Sequence, residues 1–350
     1  MLTWLKKLFS DEAAVPVAHR AAANPSPATA KKTASVGTVP WRERDQVDYT
    51  FNSWLFDAEQ QVEVFTNKNE ENILAALDET VKSEQSGAHM VRRIPGVIPQ
   101  LLQTLRNSEF SGAEVARTIS GDLVLVAEVL RMANSAAYSP AAPISSIENA
   151  ILLLGQNGLR QLITGVAFKP IINLKSGTFT RMVAPRLWVQ SERCAFACRA
   201  LAAGLPVDPL DAFLVGLIQN VGLTVSLRVI DQMSDNRLPV GSPTFCNALA
   251  MQGRTLAVNI AREWHFPEAV SKAILEQSSD PRDPKVSALG RILLMGDYLS
   301  KIDILVRNDR IDRRDRAITE DLSEKEIACL DALGDMEEKD WAAMAATGVR

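Results

Sequence analysis

The chain has 350 residues, with 38 Lys and Arg against 42 Asp and Glu, a formal net charge of −4 and 47% hydrophobic residues. At about 150 residues per domain this length suggests two domains or one with appendages, and the apolar share is ordinary for a globular core. The balanced charge argues against a nucleic-acid binder, four cysteines are too few for a disulfide framework, and three histidines, His19, His89 and His265, leave little of the commonest metal ligand.

The first ten residues are apolar but too short for a signal peptide, and Lys6 and Lys7 sit where the apolar run should continue. Over residues 1–9, Leu2, Leu5, Leu8 and Phe9 would share one side of a helix. That reads either as a peripheral membrane or partner anchor or as a frayed terminus. So short a helix rarely holds alone, which favours the second. No later run approaches the ~18 apolar residues of a membrane span, so the expectation is a soluble, cytoplasmic protein. Residues 13–40, rich in Ala, Pro, Ser and Thr, cannot bury enough surface to offset their ordering entropy and read as a disordered linker.

From Trp41 to Ala88 acidic residues outnumber basic ones, and two apolar sets follow helical spacing: Phe51, Trp54, Leu55, Ala58 and Val62, then Ile73, Leu77 and Val81. Two or three short helices with so narrow a stripe must dock on the main domain or on a partner. Ile98, Leu101, Leu102 and Leu105 form the next stripe, and Leu123, Val126, Ala127 and Leu130 another. Ser111-Gly-Ala-Glu114 and Ser145-Ser-Ile-Glu148 have the form of capping boxes, and Gly155 suits a helix end after Leu154. A long helix is expected over 187–205, where Ala195, Ala197 and Ala202 permit close approach. Asp208-Pro209 supplies a cap and a first-turn proline. Residues 303–316 alternate in sign and read as a solvated segment. Ser323-Glu-Lys-Glu326 is a third capping box, opening the first of two closing helices over 323–333 and 336–346. Period-2 alternation with turn pairs is nearly absent, so the fold class is all-α.

Several of these segments have a specific look. Ile119-Ser-Gly-Asp122, Leu130-Arg-Met-Ala-Asn-Ser-Ala136, Tyr138, Ile144-Ser-Ser-Ile-Glu-Asn-Ala-Ile-Leu-Leu-Leu-Gly155 and Leu159-Arg160 resemble the HDOD family, the HD-related output domains of bacterial signalling proteins. The resemblance continues through Leu187-Trp188, Ala212-Phe-Leu-Val-Gly-Leu-Ile218, Trp264-His-Phe-Pro-Glu268 and Asp297-Tyr-Leu299. It implies an HD-like multi-helix bundle over residues 92–299. The arm over 1–40 and the acidic helical segment over 41–89 would precede it, and a linker with short helices over 300–350 would follow.

The parent HD phosphohydrolases that the resemblance brings in hold metal ions with a His, a His-Asp pair, further histidines and a last Asp. The matching positions here are Gln190, Gln219 with Asn220, Gly253, Gln277 with Ser278, and Asp297. Amides, a hydroxyl and a glycine bind divalent metals poorly, and Asp297 alone keeps a ligand type. The resemblance therefore implies a protein without metal, cofactor or enzymatic activity. It would be a regulatory or interaction module of bacterial signal transduction whose partners are other signalling proteins. A second reading takes Gln190, Gln219 and Asn220 as the lining of a degenerate cavity that binds a nucleotide second messenger such as a cyclic dinucleotide, because amides suit base edges and sugar hydroxyls. A third, a hydrolase with relocated ligands, finds no candidate residues.

Other residues carry two readings each. Asn134, Ser135 and Tyr138 form either a small polar pocket for a ligand or partner, or a helix end in which the polar side chains satisfy free backbone groups; the second is favoured. Cys194 and Cys198, spaced i, i+4, are half of a thiolate metal site or a pair of buried structural thiols. With Cys246 and Cys329 isolated, the latter is favoured. His265, beside Trp264, reads as structural or surface.

Overall fold

The computed structural model describes residues 41–58, 64–82, 112–120, 126–127, 129–130, 133–134, 143–154, 177–234, 239–264, 266–280 and 282–336. The amphipathic start, the 13–40 linker, the 98–105 stripe, Gly155, all but the first residue of the 336–346 helix and the three histidines lie outside them. Among the described residues there are helices and no strand, so the chain is all-α, an HD-like bundle with helical appendages.

The helices in chain order are α1 Trp41–Leu55, α2 Lys68–Lys82, α3 Gly112–Ser120, α4 Thr178–Ala202, α5 Pro209–Ile218, α6 Val221–Met233, α7 Pro243–Glu263, α8 Glu268–Glu276, α9 Ala288–Arg307, α10 Arg316–Thr319 and α11 Glu324–Gly334. Helix α4 is the axis of the bundle, packed along α5 and α9, while α6 lies against α7. Ala195 contributes as its size suggests: a β-carbon on Gly216 would overlap the Ala195 backbone, so α4 and α5 meet nearly backbone to backbone. A smaller apolar cluster of Val115, Ile119, Val129, Ala133, Ile147, Ile151 and Leu154 joins α3 to the helical residues that follow it.

The acidic segment docks on the bundle. Val47, Phe51 and Leu55 of α1 and Ile73 and Leu77 of α2 are buried in the same apolar cluster as α4 to α9. Glu70 fixes the second of these helices: its carboxylate, fully buried, accepts from the Gly241 and Ser242 amides at 2.8 Å each and from Ser242 Oγ at 2.7 Å. Those amides precede α7, so a side chain from far upstream closes that helix start, where negative charge is favoured.

Local caps fall where the residues place them for α5, in which Asp208 accepts from the Leu210 amide at 2.8 Å, and for α11, in which Ser323 and Glu326 make both bonds of a capping box. Four expectations are corrected. Helix α4 begins at Thr178 rather than Leu187 and ends at Ala202, before Leu205. Asp231 of α6 accepts from the Phe179 and Thr180 amides at 2.8 and 3.1 Å and so caps the early start from outside. The helix after Ile144 begins at Ile147, and its cap is Ser146, which accepts from the Asn149 amide at 3.2 Å, one residue beyond the box read from the sequence.

The third concerns the C-terminal boundary. Residues 303–307 are not solvated linker but the last turns of α9, where buried Asp303 pairs with Arg193 of α4 and with Arg307. A domain edge at 299 would cut α9, and Cys329, Leu330 and Leu333 of α11 belong to the main core. Finally, Pro209–Met233 is long and apolar enough to cross a membrane by composition, contrary to the reading that no run approaches that length. It is mostly buried within the bundle, and its apolar character serves the core.

Candidate functional site

Helices α4, α8 and α9 and the turn between α5 and α6 bring metal-position residues to the same place. Gln190 projects from α4 and Asp297 from α9, whereas Gln219, Asn220 and Gln277 sit at the turns ending α5 and α8. Gln190 Nε2 donates to Asp297 Oδ1 at 2.9 Å and to Ser300 Oγ at 3.0 Å. Gln219 Nε2 donates to the same Asp297 oxygen at 3.2 Å. Asn220 Nδ2 donates to Gln190 Oε1 and, at 3.0 Å, to Ser191 Oγ. Gln277 Nε2 in turn donates to Gln219 Oε1. Gln190, Gln219, Gln277 and Asp297 are all buried. The amides thus satisfy one another and converge on one carboxylate.

The other oxygen of that carboxylate faces a cation. Lys301, one turn along α9, donates from Nζ to Asp297 Oδ2 at 2.6 Å and to Asp48 Oδ1 of α1 at 2.7 Å. The Phe51 ring centroid lies 5.5 Å from the same nitrogen. Arg44 of α1 pairs with Asp48 at 3.8 Å and donates to the Gln277 carbonyl at 2.8 Å. Arg254 of α7 donates to Gln277 Oε1 at 3.4 Å and to Ser278 Oγ at 3.0 Å. Helix α1 therefore covers the group with its own ion pairs.

Charge and burial act on the titrating groups Asp48 and Lys301 in opposite directions. Burial pushes the Asp48 carboxyl up, but Lys301, then Arg44 and Arg254, outweigh it and hold the group below its ordinary 3.8. Burial likewise works against the Lys301 ammonium, and the charges of Asp297 and Asp48 overcome it, raising the pKa above 10.5. Burial first, and the neighbouring Arg44 second, lower that of Arg254.

The residues do not fit a divalent metal. A metal centre needs several oxygen or nitrogen lone pairs aimed at one point, whereas here NH2 groups and an ammonium occupy both oxygens of Asp297. Among the described residues, no three His, Cys, Asp or Glu side chains are grouped as a ligand set.

The structure brings together six of the seven metal-position residues, with Ser278 at the rim through Arg254. The seventh, Gly253, contributes no side chain to the network. A β-carbon on Gly253 would stand 3.3 Å from the Leu223 nitrogen of α6, and one on Gly222 would overlap the Gly253 carbonyl, so the two glycines together serve the α6–α7 crossing. Asn134 is used up in backbone bonding: Nδ2 donates to the Leu130 and Ile144 carbonyls and Oδ1 accepts from the Ile144 amide, all at 2.8 Å. That is the helix-end reading; Ser135 and Tyr138 lie outside the described residues. All four cysteines are buried free thiols. Cys194 and Cys198 stand 3.8 Å apart, and burial foremost pushes Cys246 and Cys329 up to about 12. Sequence reasoning missed Arg44, Asp48, Arg254 and Lys301. Only Lys301 left a local signal, a cation at i+4 from Asp297.

The chain matches the family model for the HDOD domain over residues 91–279; α9, with Asp297 and Lys301, lies beyond the matched range. No curated protein matches. Among solved structures, an HDOD domain protein with unknown function from Geobacter sulfurreducens aligns at TM-score 0.50 and 19% identity, covering 80% of this chain and 95% of its own. A candidate signal transduction protein from Marinobacter aquaeolei VT8 aligns at TM-score 0.55 and 18% identity, covering 82% and 68%. A candidate metal-dependent phosphohydrolase from Shewanella amazonensis SB2B aligns at TM-score 0.48 and 17% identity, covering 77% and 99%. The first two show the shared helical fold.

Proposed function

The chain belongs to the HDOD domain family, whose model covers more than half of it, and from that premise we propose that it is a non-catalytic regulatory module of bacterial signal transduction, acting through contacts with other signalling proteins. The observation that supports this reading is the state of Asp297. Its two oxygens are held by Gln190, Gln219 and Lys301, so this carboxylate is taken up inside the protein rather than offered to a metal or a water. The nucleotide-sensor reading draws no support from the same group. Gln190, Gln219, Asn220 and Gln277 bond to one another and to Asp297, so a base or sugar would have to break those bonds before gaining its own.

The test assays the full chain with Mn2+, Fe2+ and Zn2+ against bis(p-nitrophenyl) phosphate and cyclic dinucleotides. Calorimetry with cyclic dinucleotides and (p)ppGpp accompanies it, as does crosslinking in native cells. The expected result is no turnover and no saturable heat, with a signalling protein recovered in the crosslinked complex. Metal-dependent turnover that disappears in Asp297→Asn would overturn the proposal in favour of an enzyme, and saturable nucleotide binding would favour the sensor.

A further inference from the structure

We propose that the Lys301 ammonium is a tethered cation that fills the position left by the lost metal chemistry, and that Asp48 of α1 locks it there as the second carboxylate of an internal salt-bridge joint. The disagreement between the family's expected ligands and the residues present leads to this assignment. Two carboxylates from distant parts of the chain, Asp48 and Asp297, meet at one nitrogen at 2.7 and 2.6 Å. That nitrogen is the side chain of the protein itself. Gln190 and Gln219 turn their NH2 groups to Asp297, and Gln277 turns its own to Gln219 Oε1, which suits an anion already paired and leaves no inward ring of oxygens for a free ion. The Phe51 face supplies a further weak attraction for the ammonium.

The charge count points the same way. Lys301, Arg44 and Arg254 act on Asp48 and Asp297, three cations on two carboxylates. A divalent ion entering here would add two positive charges to a group that already carries an excess of one. The joint therefore excludes metals by charge as well as by ligand type, and α1 supplies one of its cations and one of its carboxylates. The covering helix is thus part of the site. Asp48 supplies charge, Arg44 holds the Gln277 carbonyl at 2.8 Å, and Phe51 closes the apolar side. This assignment stands independently of which partner the protein contacts.

The test is chemical rescue in the full chain. Lys301→Ala removes the ammonium with its stem, leaving a space that fits n-propylammonium. The thermal midpoint should fall, then recover saturably on adding n-propylammonium, while neutral 1-propanol, of similar size, gives no comparable recovery. The recovery should be absent in the Lys301→Ala/Asp48→Asn double variant. Equal effects of the amine and the alcohol, or no effect of either on a folded variant, would overturn the assignment.

Should Lys301→Ala not fold, the unsubstituted protein gives a second reading. A buried ammonium held by two carboxylates should show a slowly exchanging Nζ–H3 signal at neutral pH by nitrogen-15 NMR of labelled lysine, whereas exposed lysines exchange too fast to be seen. Adding Mn2+ should leave that signal unbleached. Its absence, or its loss on adding Mn2+, would contradict a locked internal cation.

Discussion

At the scale of single residues, one carboxylate and one amine carry opposite dependences on pH. The folded chain holds Asp48 below its ordinary 3.8, so the unfolded chain takes up the proton first as acid is added. The stabilisation is complete above 3.8 and is lost as pH falls through the lower folded value. Lys301 is raised above 10.5; its contribution is complete below that value and is lost as pH climbs past the folded one. The joint is therefore intact across the whole neutral range. We predict that Asp48→Asn lowers stability at pH 7 and flattens the decline that sets in as pH falls below 3.8, as followed by urea unfolding at each pH. An acid limb as steep as that of the unsubstituted protein would show that other carboxylates govern it. The thiols behave more simply. With Cys246 and Cys329 pushed up to about 12, they remain protonated and inert at neutral pH.

At the scale of helices, ends are closed by side chains from elsewhere in the chain as well as by neighbours. Glu70 serves the start of α7, and Asp231 the start of α4. Lys325 donates to the Leu201 and Ala203 carbonyls, both at 2.7 Å, at the end of α4. Arg186 donates to the Trp54 and Leu55 carbonyls at the end of α1, at 2.6 and 3.0 Å. Glu70→Ala leaves the amides of Gly241 and Ser242 without their acceptor inside the protein and should cost about 3 kcal/mol. A loss under about 1 kcal/mol in urea unfolding would mean that water or a neighbouring group takes over the carboxylate's role.

This arrangement also explains what the sequence could and could not tell. Asp208-Pro209 and the Ser323/Glu326 box were legible because cap and amide lie within three residues. The docking of 41–82 was legible because its stripe was too narrow to stand alone. The start of α4 was hidden, since nothing near Gly177 announces Asp231. In the site, Gln190, Gln219, Gln277 and Asp297 could be placed by motif. Arg44, Asp48 and Arg254 could not, for they reach the group only through the packing of α1 and α7.

At the scale of the whole molecule, α1 and α2 share one apolar core with the bundle, although they precede the residues matched by the family model. They should unfold with it. Amides of α1 near Phe51 and Leu55 are predicted to exchange with solvent with the same opening free energy as those of α9, in native-state hydrogen exchange. Much weaker protection of α1 would mark it as a detachable cover, and Asp48 with it.

The bond between Lys301 and Asp48 spans 253 positions of the chain, and this separation bears on how the protein is made. Synthesis at about 5–20 residues per second puts roughly 13–50 s between the emergence of Asp48 and that of Lys301. Throughout that interval Val47, Phe51 and Leu55 await the helix they will cover. A nascent chain in this state displays an amphipathic helix with no seat, a natural target for ribosome-associated chaperones, and α9 is the piece that ends the wait.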